Sequence, residues 1–283
     1  MILIADSGST KTDWRLIEPA KNHVSQARTP GFNPFFQTAD EIHEQLRSGL
    51  LPQMNQNVEA VFFYGAGCAG AGSAVMRTAL EAAFTGATIA VESDMLGAAR
   101  GACGRAAGIA CILGTGANNA LYDGANIVAN VPSLGFWLGD EGSGGYLGKA
   151  LVVNYLHRDL PPELSGAFER RFTALDRTEV LENAYHKPFP NRYFASFSKF
   201  LFDHRAHPYV YKMIYDAFAL FLKKYVCRHA RYQILPVSFV GSVAFYYSDI
   251  LRQVATDAGI TIKNILETPV AGLTLYHQNR VEV

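Results

Sequence analysis

The hydrophobic positions of the chain alternate between short apolar runs and helical spacings, which predicts an α/β protein. Apolar runs at 2–5 and 58–64 have the length of buried strands, while Ile42, Leu46 and Leu50 are spaced as one face of a helix. The predicted order over the first hundred residues is strand, strand, strand, helix, strand, helix, strand, helix. The first two strands form a hairpin around a turn of Gly, Ser and Thr.

A similar pattern begins again after residue 105. An apolar strand at 108–113 precedes a glycine-rich turn and short strands, and a helix is predicted at 143–156. A mostly helical stretch at 160–232 comes next, and strands and helices alternate again to the end, with one helix predicted at 244–258. The repeated opening predicts two duplicated α/β lobes. We expect an N-terminal lobe at 1–104, a C-terminal lobe with a helical insertion at 105–268, and a closing helix within 269–283 that packs on the first lobe.

Composition favours a small-molecule partner. The 283 residues suggest two domains, and 25 basic residues balance 25 acidic ones, which argues against nucleic acid or an anionic membrane as the main partner. The amino terminus does not have the pattern of a signal peptide, and no apolar run approaches the roughly 20 residues of a membrane span. The four cysteines lack metal or redox spacing, so we expect reduced thiols and a cytoplasmic protein.

The turn after the first strand is a candidate phosphate site. In the sequence ILIADSGSTKTDW, backbone amides, hydroxyls and one ammonium come together after a strand. The acidic residue at the strand end suits a magnesium ion held largely through water. The alternative is an ordinary hairpin turn. The predicted phosphate-binding residues are Asp6, Gly8, Ser9, Thr10, Lys11 and Thr12, with Asp6 also the predicted magnesium ligand.

Two further glycine turns are candidates for nucleotide contacts. In CILGTGANNAL a second Gly-Thr-Gly turn follows a strand, as expected if both lobes supply hydrogen-bond donors to one nucleotide in a cleft. In SFVGSVAFYYSDIL a Gly-Ser pair lies between a strand and a helix, where an adenine ring could meet exposed backbone. Any strand-to-helix turn has this pattern. The predicted residues are Gly114, Thr115, Gly116, Gly241 and Ser242.

A single carboxylate at another strand end is the candidate catalytic base. Asp94 follows a strand and begins a helix that is rich in small residues. A carboxylate there could accept the proton of a sugar hydroxyl as that hydroxyl attacks a terminal phosphate. The alternative for Asp94 is a helix N-cap, a position that aspartate favours.

The segment PSLGFWLGDEGSGGYLGKA has an unusual density of glycine around two acidic residues. Glycine at such density indicates close backbone approaches or positive φ angles. Asp140 suits the binding of sugar hydroxyls, because an ionised carboxylate only accepts hydrogen bonds. Trp137 is either a stacking surface for a sugar or an ordinary core residue.

Taken in order, these segments resemble the sugar kinase, Hsp70 and actin superfamily, and within it the BadF/BadG/BcrA/BcrD ATPase family that includes N-acetylglucosamine kinases. The stretch LGDEGSGGYLGKAL is similar to the LGDEGS signature of those kinases, and FNPFF resembles their early sugar-binding segment. The resemblance implies two ribonuclease-H-like, actin-like lobes with an interlobe cleft, ATP and Mg2+ as cofactors, an amino sugar as substrate, and a homodimer.

The resemblance also implies roles for particular residues. Thr10 and Thr115 would contact the ATP phosphates, and Asp94 would be the base beside the sugar 6-hydroxyl. Leu134 occupies the place of a tryptophan in the Gly-Trp-Gly segment of the family, and Trp137 lies three residues later, which leaves the identity of the sugar open. The expected sugar contacts are Asn33, Asp94, Ala117, Asn118, Ser133, Leu134, Gly135 and Asp140.

Several functions remain open at this stage. A kinase for N-acetylglucosamine is the main hypothesis, and a kinase for N-acetylmuramic acid or another hexosamine is the nearest alternative. The same broad family contains ATPases that activate dehydratases through a shared iron–sulfur cluster, but the isolated cysteines do not have the spacing of cluster ligands. A sugar-sensing binding module is the non-enzymatic alternative.

Overall fold

The structure is a computed structural model of the chain, and it describes residues 1–8, 10–18, 23–54, 57–173 and 175–278. The chain divides into two compact units. The first contains Met1–Ala107, Tyr122–Val128 and Thr268–Val283, and the second contains Gly108–Leu121 and Ala129–Glu267. Each unit has its own hydrophobic core.

The first unit contains a mixed sheet of five strands. These strands are β1 (Ile2–Ser7), β2 (Lys11–Glu18), β3 (His23–Pro30), β4 (Ala60–Gly65) and β5 (Thr88–Ser93). Their order is β3-β2-β1-β4-β5, with antiparallel pairing of β1, β2 and β3 and parallel pairing of β1, β4 and β5. Ser7 pairs with Gly65, and Gly65 pairs with Ser93. The turns that follow these three strands therefore leave the sheet at one edge.

The helices of the first unit cover this sheet. They are α1 (Ala39–Gly49), α2 (Ala71–Ala83), α3 (Asp94–Cys103) and the C-terminal helix (Val270–Gln278), with a short 3-10 turn at Leu51–Gln53. Helix α1 begins with a capping box between Thr38 and Glu41 and buries Ile42 and Leu46, as the helical spacing predicted. The C-terminal helix packs on α3, β1 and β2. The aromatic centre of the core consists of Trp14, Phe32 and Phe63.

The second unit repeats the strand order of the first. Its sheet contains β6 (Gly108–Leu113), β7 (Ala117–Tyr122), β8 (Ile127–Ala129), β9 (Val237–Val240) and β10 (Ile262–Leu266). The segment Tyr122–Val128 of this sheet, which includes most of β8, belongs to the first compact unit. Their order is β10-β9-β6-β7-β8, and β9 pairs in parallel with both β6 and β10. Read from the opposite edge, this order matches that of the first sheet strand by strand. The two sheets thus bear out the α/β fold that the repeated sequence pattern predicted.

Helices between β8 and β9 form the insertion of the second unit. They are α4 (Gly135–Leu138), α5 (Gly144–Leu156), α6 (Pro162–Arg171), α7 (Arg177–Tyr185), α8 (Pro190–Ser196), α9 (Ser198–Asp203) and α10 (Pro208–Lys224). Helix α10 buries Val210, Ile214, Phe218 and Phe221 at helical spacing, and this face fills much of the core. No helix among the described residues combines the length and apolar character that a membrane span requires.

The prediction of one helix at 244–258 is wrong. The chain instead forms α11 (Ser242–Tyr246) and α12 (Ser248–Asp257), with Tyr247 between them. The Tyr247 side chain is buried, and its hydroxyl donates a hydrogen bond to the carbonyl oxygen of Ser198 at 2.6 Å. This hydrogen bond joins the break between α11 and α12 to the start of α9 in the insertion.

Candidate functional site

The first candidate phosphate turn is shorter than the sequence predicted. Strand β1 continues to Ser7 and β2 begins at Lys11, so Lys11 and Thr12 are strand residues and not turn residues. The Thr12 hydroxyl is buried, 2.8 Å from the Ser7 hydroxyl. Thr10 is exposed, and its carbonyl oxygen accepts from the amide of Gly31. Ser9 lies outside the described residues.

Charged residues form ion pairs near the end of the β1–β2 hairpin. Asp6 and Asp13 lie opposite each other in the β1–β2 register. Asp13 is buried and pairs with Lys11 at 2.8 Å and Arg28 at 2.7 Å. Burial alone would raise the pKa of Asp13, but the hydrogen bonds from Lys11 and Arg28 outweigh it and lower that pKa. The predicted phosphate ligand Lys11 is therefore paired with an internal carboxylate.

Asp6 has a very different electrostatic environment from Asp13. Although Asp6 keeps some accessible surface, its removal from bulk water raises its pKa to about 7, and the charges of Asp13 and Asp94 add to that rise. The charge of Lys11 opposes the shift. Asp6 is thus a carboxylate whose ionised form would be stabilised by an added cation.

The predicted base Asp94 is the first residue of α3, and the N-cap is Ser93. The Ser93 hydroxyl accepts from the amide of Leu96 at 3.2 Å, whereas Asp94 Oδ1 accepts from the amide of Met95 at 2.8 Å. The capping alternative for Asp94 is therefore wrong. Burial raises the pKa of Asp94 above its ordinary value, and the hydrogen bond from Met95 opposes that rise.

Asn33 lies in the loop between β3 and α1. Its Oδ1 atom accepts from the amide of Phe35 at 3.0 Å, and its own amide donates to Gln37 Oε1 at 2.8 Å. The same loop is tied to β1, because the amide of Phe32 donates to the Ser7 hydroxyl at 3.1 Å. The predicted early sugar residue is thereby anchored to the hairpin end.

The second phosphate turn, Gly114–Gly116, is tied to the start of α5. The amides of Gly144 and Gly145 donate to the carbonyl oxygens of Gly114 and Thr115 at 2.8 and 3.0 Å. A Cβ atom at Gly145 would lie 3.0 Å from the Thr115 oxygen. This close approach explains why glycines follow the LGDEGS segment.

The third glycine turn meets the second within the same unit. Gly241 has a φ of +126°, and a Cβ atom there would lie 2.3 Å from the Leu113 oxygen and 3.1 Å from the Gly114 nitrogen. Ser242 begins α11 immediately afterwards. Gly241 therefore allows the β9 turn to pack directly on the end of β6.

A cavity of about 420 Å3 opens beside these two turns. Its floor includes Gly114, Thr115 and Ser242, and its walls come from α8, α9 and α11. Tyr246 and Phe202 contact each other edge to face, with centroids 5.6 Å apart. The cavity combines exposed backbone, hydroxyls and aromatic rings, which suits a nucleoside. Its lining consists of Gly114, Thr115, Gly144, Arg171, Ala195, Ser198, Lys199, Phe202, Asp203, Ser242, Val243, Tyr246 and Tyr247.

Asp140 is held in a left-handed conformation, with a φ of +56°. Its Oδ1 atom accepts from the amide of Ala117 at 3.2 Å and lies 3.1 Å from the hydroxyl of Ser133. Burial raises the pKa of Asp140, and these two hydrogen bonds oppose that rise. A Cβ atom at Gly116 would come within 3.0 Å of Oδ2. The structure thus brings together four predicted residues, Gly116, Ala117, Ser133 and Asp140.

The segment just before Asp140 exposes apolar side chains and contains the predicted residues Leu134, Gly135 and Trp137. Leu134 is 60% exposed and Trp137 is 50% exposed, so Trp137 is not a core residue. Gly135 begins α4 with a φ of +71°. The Trp137 ring stacks in parallel on Tyr185, with centroids 5.7 Å apart.

The sequence did not single out Glu141, the second acidic residue of the LGDEGS segment, as a site residue. Glu141 is buried and forms an ion pair with Lys224, and the Tyr225 hydroxyl donates to it at 2.5 Å. Burial alone would raise the pKa of Glu141, but the contacts with Lys224 and Tyr225 lower it. The position of Glu141 next to Asp140 was the signal available in the sequence, but Lys224 and Tyr225 come more than eighty residues later in the chain.

A second missed contact fixes β7. Asn118 Oδ1 accepts from Asn130 at 3.2 Å, and the neighbouring Asn119 bonds both backbone groups of Val131. The Asn119 side chain is fully buried and lies 2.7 Å from His229 Nε2. The predicted sugar residues Ala117 and Asn118 therefore lie in the same strand, immediately before Asn119.

None of the described cysteines forms a disulfide, and the described residues contain no cluster of three or more His, Cys, Asp and Glu side chains arranged to hold a metal ion. Cys68, Cys103 and Cys111 are buried, and Cys227 is partly buried.

Comparison with known proteins identifies the family. A crystal structure of a putative N-acetylglucosamine kinase from Porphyromonas gingivalis is 44% identical to this chain, with a TM-score of 0.94. The match covers 99% of this chain and 100% of that one. The chain belongs to this family of N-acetylglucosamine kinase-like proteins. No family model matches the chain, and no curated protein matches it.

More distant structures share the fold. A putative N-acetylglucosamine kinase from Chromobacterium violaceum is 19% identical, with a TM-score of 0.68 over 97% of this chain and 98% of that one. A glucokinase of the ROK family from Streptomyces griseus, solved with glucose and AMPPNP, is 15% identical, with a TM-score of 0.54 over 99% and 98% of the two chains. These distant matches confirm the predicted fold, and the Porphyromonas match confirms the predicted resemblance to N-acetylglucosamine kinases.

Proposed function

We propose that this protein is an ATP-dependent kinase that phosphorylates an N-acetylated amino sugar, with N-acetylglucosamine phosphorylated at its 6-hydroxyl as the leading reaction. The observation that carries the proposal is the full-length match, at 44% identity, to the Porphyromonas structure. The carboxylates and glycine turns described above supply groups that phosphoryl transfer requires.

The cavity of the second unit supports a nucleotide site. Adenine and ribose would occupy the space between the Ser242 helix start and the aromatic residues Phe202 and Tyr246. Thr115 at the cavity floor would approach the phosphates, as would Thr10 in the first unit. Lys11 would contribute less to phosphate binding than the sequence predicted, because its ammonium group is already paired with Asp13.

Asp94 is the proposed general base and Asp140 the proposed sugar ligand. A base with a raised pKa accepts a proton more readily than an ordinary aspartate, and burial raises the pKa of Asp94. Asp140 uses Oδ1 internally, on Ala117 and Ser133, which leaves Oδ2 to accept from sugar hydroxyls. Asn33 would supply the complementary donor, since its Nδ2 atom carries two N–H groups.

Magnesium fits the residues at the end of β1. Asp6 has a pKa raised to about 7 by loss of hydration and by the neighbouring carboxylates, so a cation there would relieve an unfavourable accumulation of charge. When bound, the ion would neutralise charge on the transferring phosphates. Asp6 would hold it largely through water, and Asp13, already paired with Lys11 and Arg28, would remain a structural residue.

The proposal includes a cytoplasmic location and a homodimer. The location is supported by the described cysteines, none of which forms a disulfide. The dimer rests on the family resemblance alone, and sedimentation of the purified protein measures it directly.

An ADP-release assay across N-acetylglucosamine, N-acetylmuramic acid, N-acetylmannosamine, glucosamine and glucose tests the proposal. We expect ADP release to depend on added sugar and to be fastest with N-acetylglucosamine, with a 6-phosphate product identified by NMR. Full ATP hydrolysis without sugar would favour the activator class of ATPase. Sugar binding without ADP release would favour a sensing module.

A further inference from the structure

The loop that follows β4, residues 66–70, has no role in the function proposed above. Gly65 at the end of β4 pairs with Ser7 on one side and with Ser93 on the other. The loop therefore starts between the turn after β1 and the predicted base Asp94. Gly67 within it has a φ of +75°, in the region that favours glycine.

Gly67 lies directly against the side chain of Asn33. A Cβ atom at position 67 would lie 2.5 Å from Asn33 Oδ1 and 3.4 Å from the Phe35 ring. Real Cβ atoms essentially never approach another atom that closely, so a side chain at this position would displace the carboxamide or the loop. The absence of a side chain at Gly67 is thus what allows the present position of Asn33.

The hydrogen bonds of Asn33 fix which way its carboxamide faces. The amide of Phe35 is a donor and lies 3.0 Å from the atom assigned as Oδ1, so the oxygen has to be on that side. No described residue accepts a hydrogen bond from Nδ2. The two N–H groups of Nδ2 are therefore available as donors for a hydroxyl or acetyl carbonyl oxygen.

The other side of the same loop is next to the predicted base. Cys68 is buried, and its pKa is raised to about 12, first by burial and then by the charge of Asp94. Helix α2 packs closely against the loop, because a Cβ atom at Gly72 would lie 2.1 Å from the Gly67 carbonyl oxygen. The loop thus forms a closely packed connection between Asn33 and Asp94.

We infer that Gly67 is a positioning residue for the acceptor sugar: the space left by its missing side chain holds the Asn33 carboxamide with its N–H groups toward the substrate. This inference rests on the proposed function, because it assigns Asn33 a sugar as its partner. It predicts that a single methyl group at position 67 weakens sugar binding without changing the nucleotide site.

Gly67→Ala tests this inference, with Gly70→Ala and Gly86→Ala as matched controls. Gly70 and Gly86 also have positive φ angles, of +54° and +85°, but a Cβ atom at either meets nothing within 4 Å. All three variants place an alanine at a positive φ angle, and only the Gly67→Ala side chain would contact Asn33. We expect Gly67→Ala to raise the KM for N-acetylglucosamine about tenfold or more, with the KM for ATP unchanged, while both controls stay within about twofold.

A double-mutant cycle with Asn33→Ala separates positioning from general damage to the fold. Removal of the Asn33 carboxamide removes the clash, so Gly67→Ala should add less than about twofold to the KM of the Asn33→Ala variant. Additive effects, or a Gly67→Ala variant that behaves like Gly70→Ala, would overturn the inference while leaving the proposed function intact. A wild-type protein that phosphorylates no sugar would overturn both.

Discussion

The two units have the same strand order, yet the turns after their first strands carry different chemistry. In the first unit the turn follows Asp6 and is surrounded by ionisable groups, including Asp13, Lys11 and Asp94. In the second unit the Gly114–Gly116 turn is bound by backbone amides and opens onto a cavity. The same fold therefore supports two kinds of site, because turn residues can change while the sheet is kept.

The difference assigns separate tasks to the two units. Carboxylates of the first unit suit a cation and a general base, whereas the second unit provides a nucleoside-sized cavity and one carboxylate, Asp140, whose Oδ1 is already bonded. Substitutions of the first-unit carboxylates should mainly affect turnover, and substitutions of Asp140 or of the cavity lining should mainly affect binding.

The largest expected effect is that of Asp94→Asn. Asparagine keeps the Oδ1 acceptor for the Met95 amide but cannot accept a proton, so turnover should fall by about 10²–10⁴ while ATP affinity stays similar. Ser93→Ala is the control, since it removes the true N-cap and should lower stability by about 1 kcal/mol with near-normal turnover. Sugar phosphorylation by folded Asp94→Asn within a few-fold of wild type would show that another group is the base.

Asp140→Asn should mainly weaken sugar binding. Asparagine tolerates a positive φ and can keep the hydrogen bonds of Oδ1, but it removes the charge that sugar hydroxyls would bind. Loss of a charged hydrogen-bond acceptor corresponds to an increase of about 10- to 100-fold in the sugar KM. Nucleotide affinity, measured by calorimetry, should stay unchanged; equal losses for sugar and nucleotide would contradict the role of Asp140 as a sugar ligand.

Ala195→Met should have a smaller effect, confined to the nucleotide. Ala195 lines the cavity, and a longer side chain would occupy part of its roughly 420 Å3. We expect the KM for ATP to rise about tenfold with an unchanged sugar KM. Ser196→Met, at the neighbouring exposed position of the same helix, is the matched control and should leave both values unchanged.

Asp6→Asn should stabilise the fold at alkaline pH. The pKa of Asp6 is raised to about 7 in the folded protein, so the folded state binds a proton more tightly than the unfolded chain, and stability decreases as pH rises from about 4 to 7. The neutral variant avoids this loss, and with allowance for partial solvent exposure its melting temperature at pH 8 should be about 2–6 °C higher. The advantage should shrink at pH 5. A lower melting temperature at pH 8 would mean that ionised Asp6 is not under strain.

The sequence by itself determined the element order and most of the candidate turns. Apolar runs and helical spacings are local properties, so β6 at Gly108–Leu113 and the buried face of α1 were predictable. The turn residues before Asp94 and Ser242 were also visible, because glycine and small polar residues mark strand ends. The Ser93 cap was readable from the same rules, but the capping alternative was placed one residue later, at Asp94.

Only the tertiary structure decided which distant side chains complete each turn. Glu141 meets Lys224 and Tyr225, and Asn119 meets His229, across separations of 83 to 110 residues. Much of the cavity wall comes from the insertion helices α8 and α9. Their sequences indicate which residues face the core, but not which residues border the cavity. The contact of Gly67 with Asn33 joins a loop after one strand to a loop after another. A local pattern specifies which element forms, but packing and buried polar pairing depend on where the chain returns in space, which no single segment encodes.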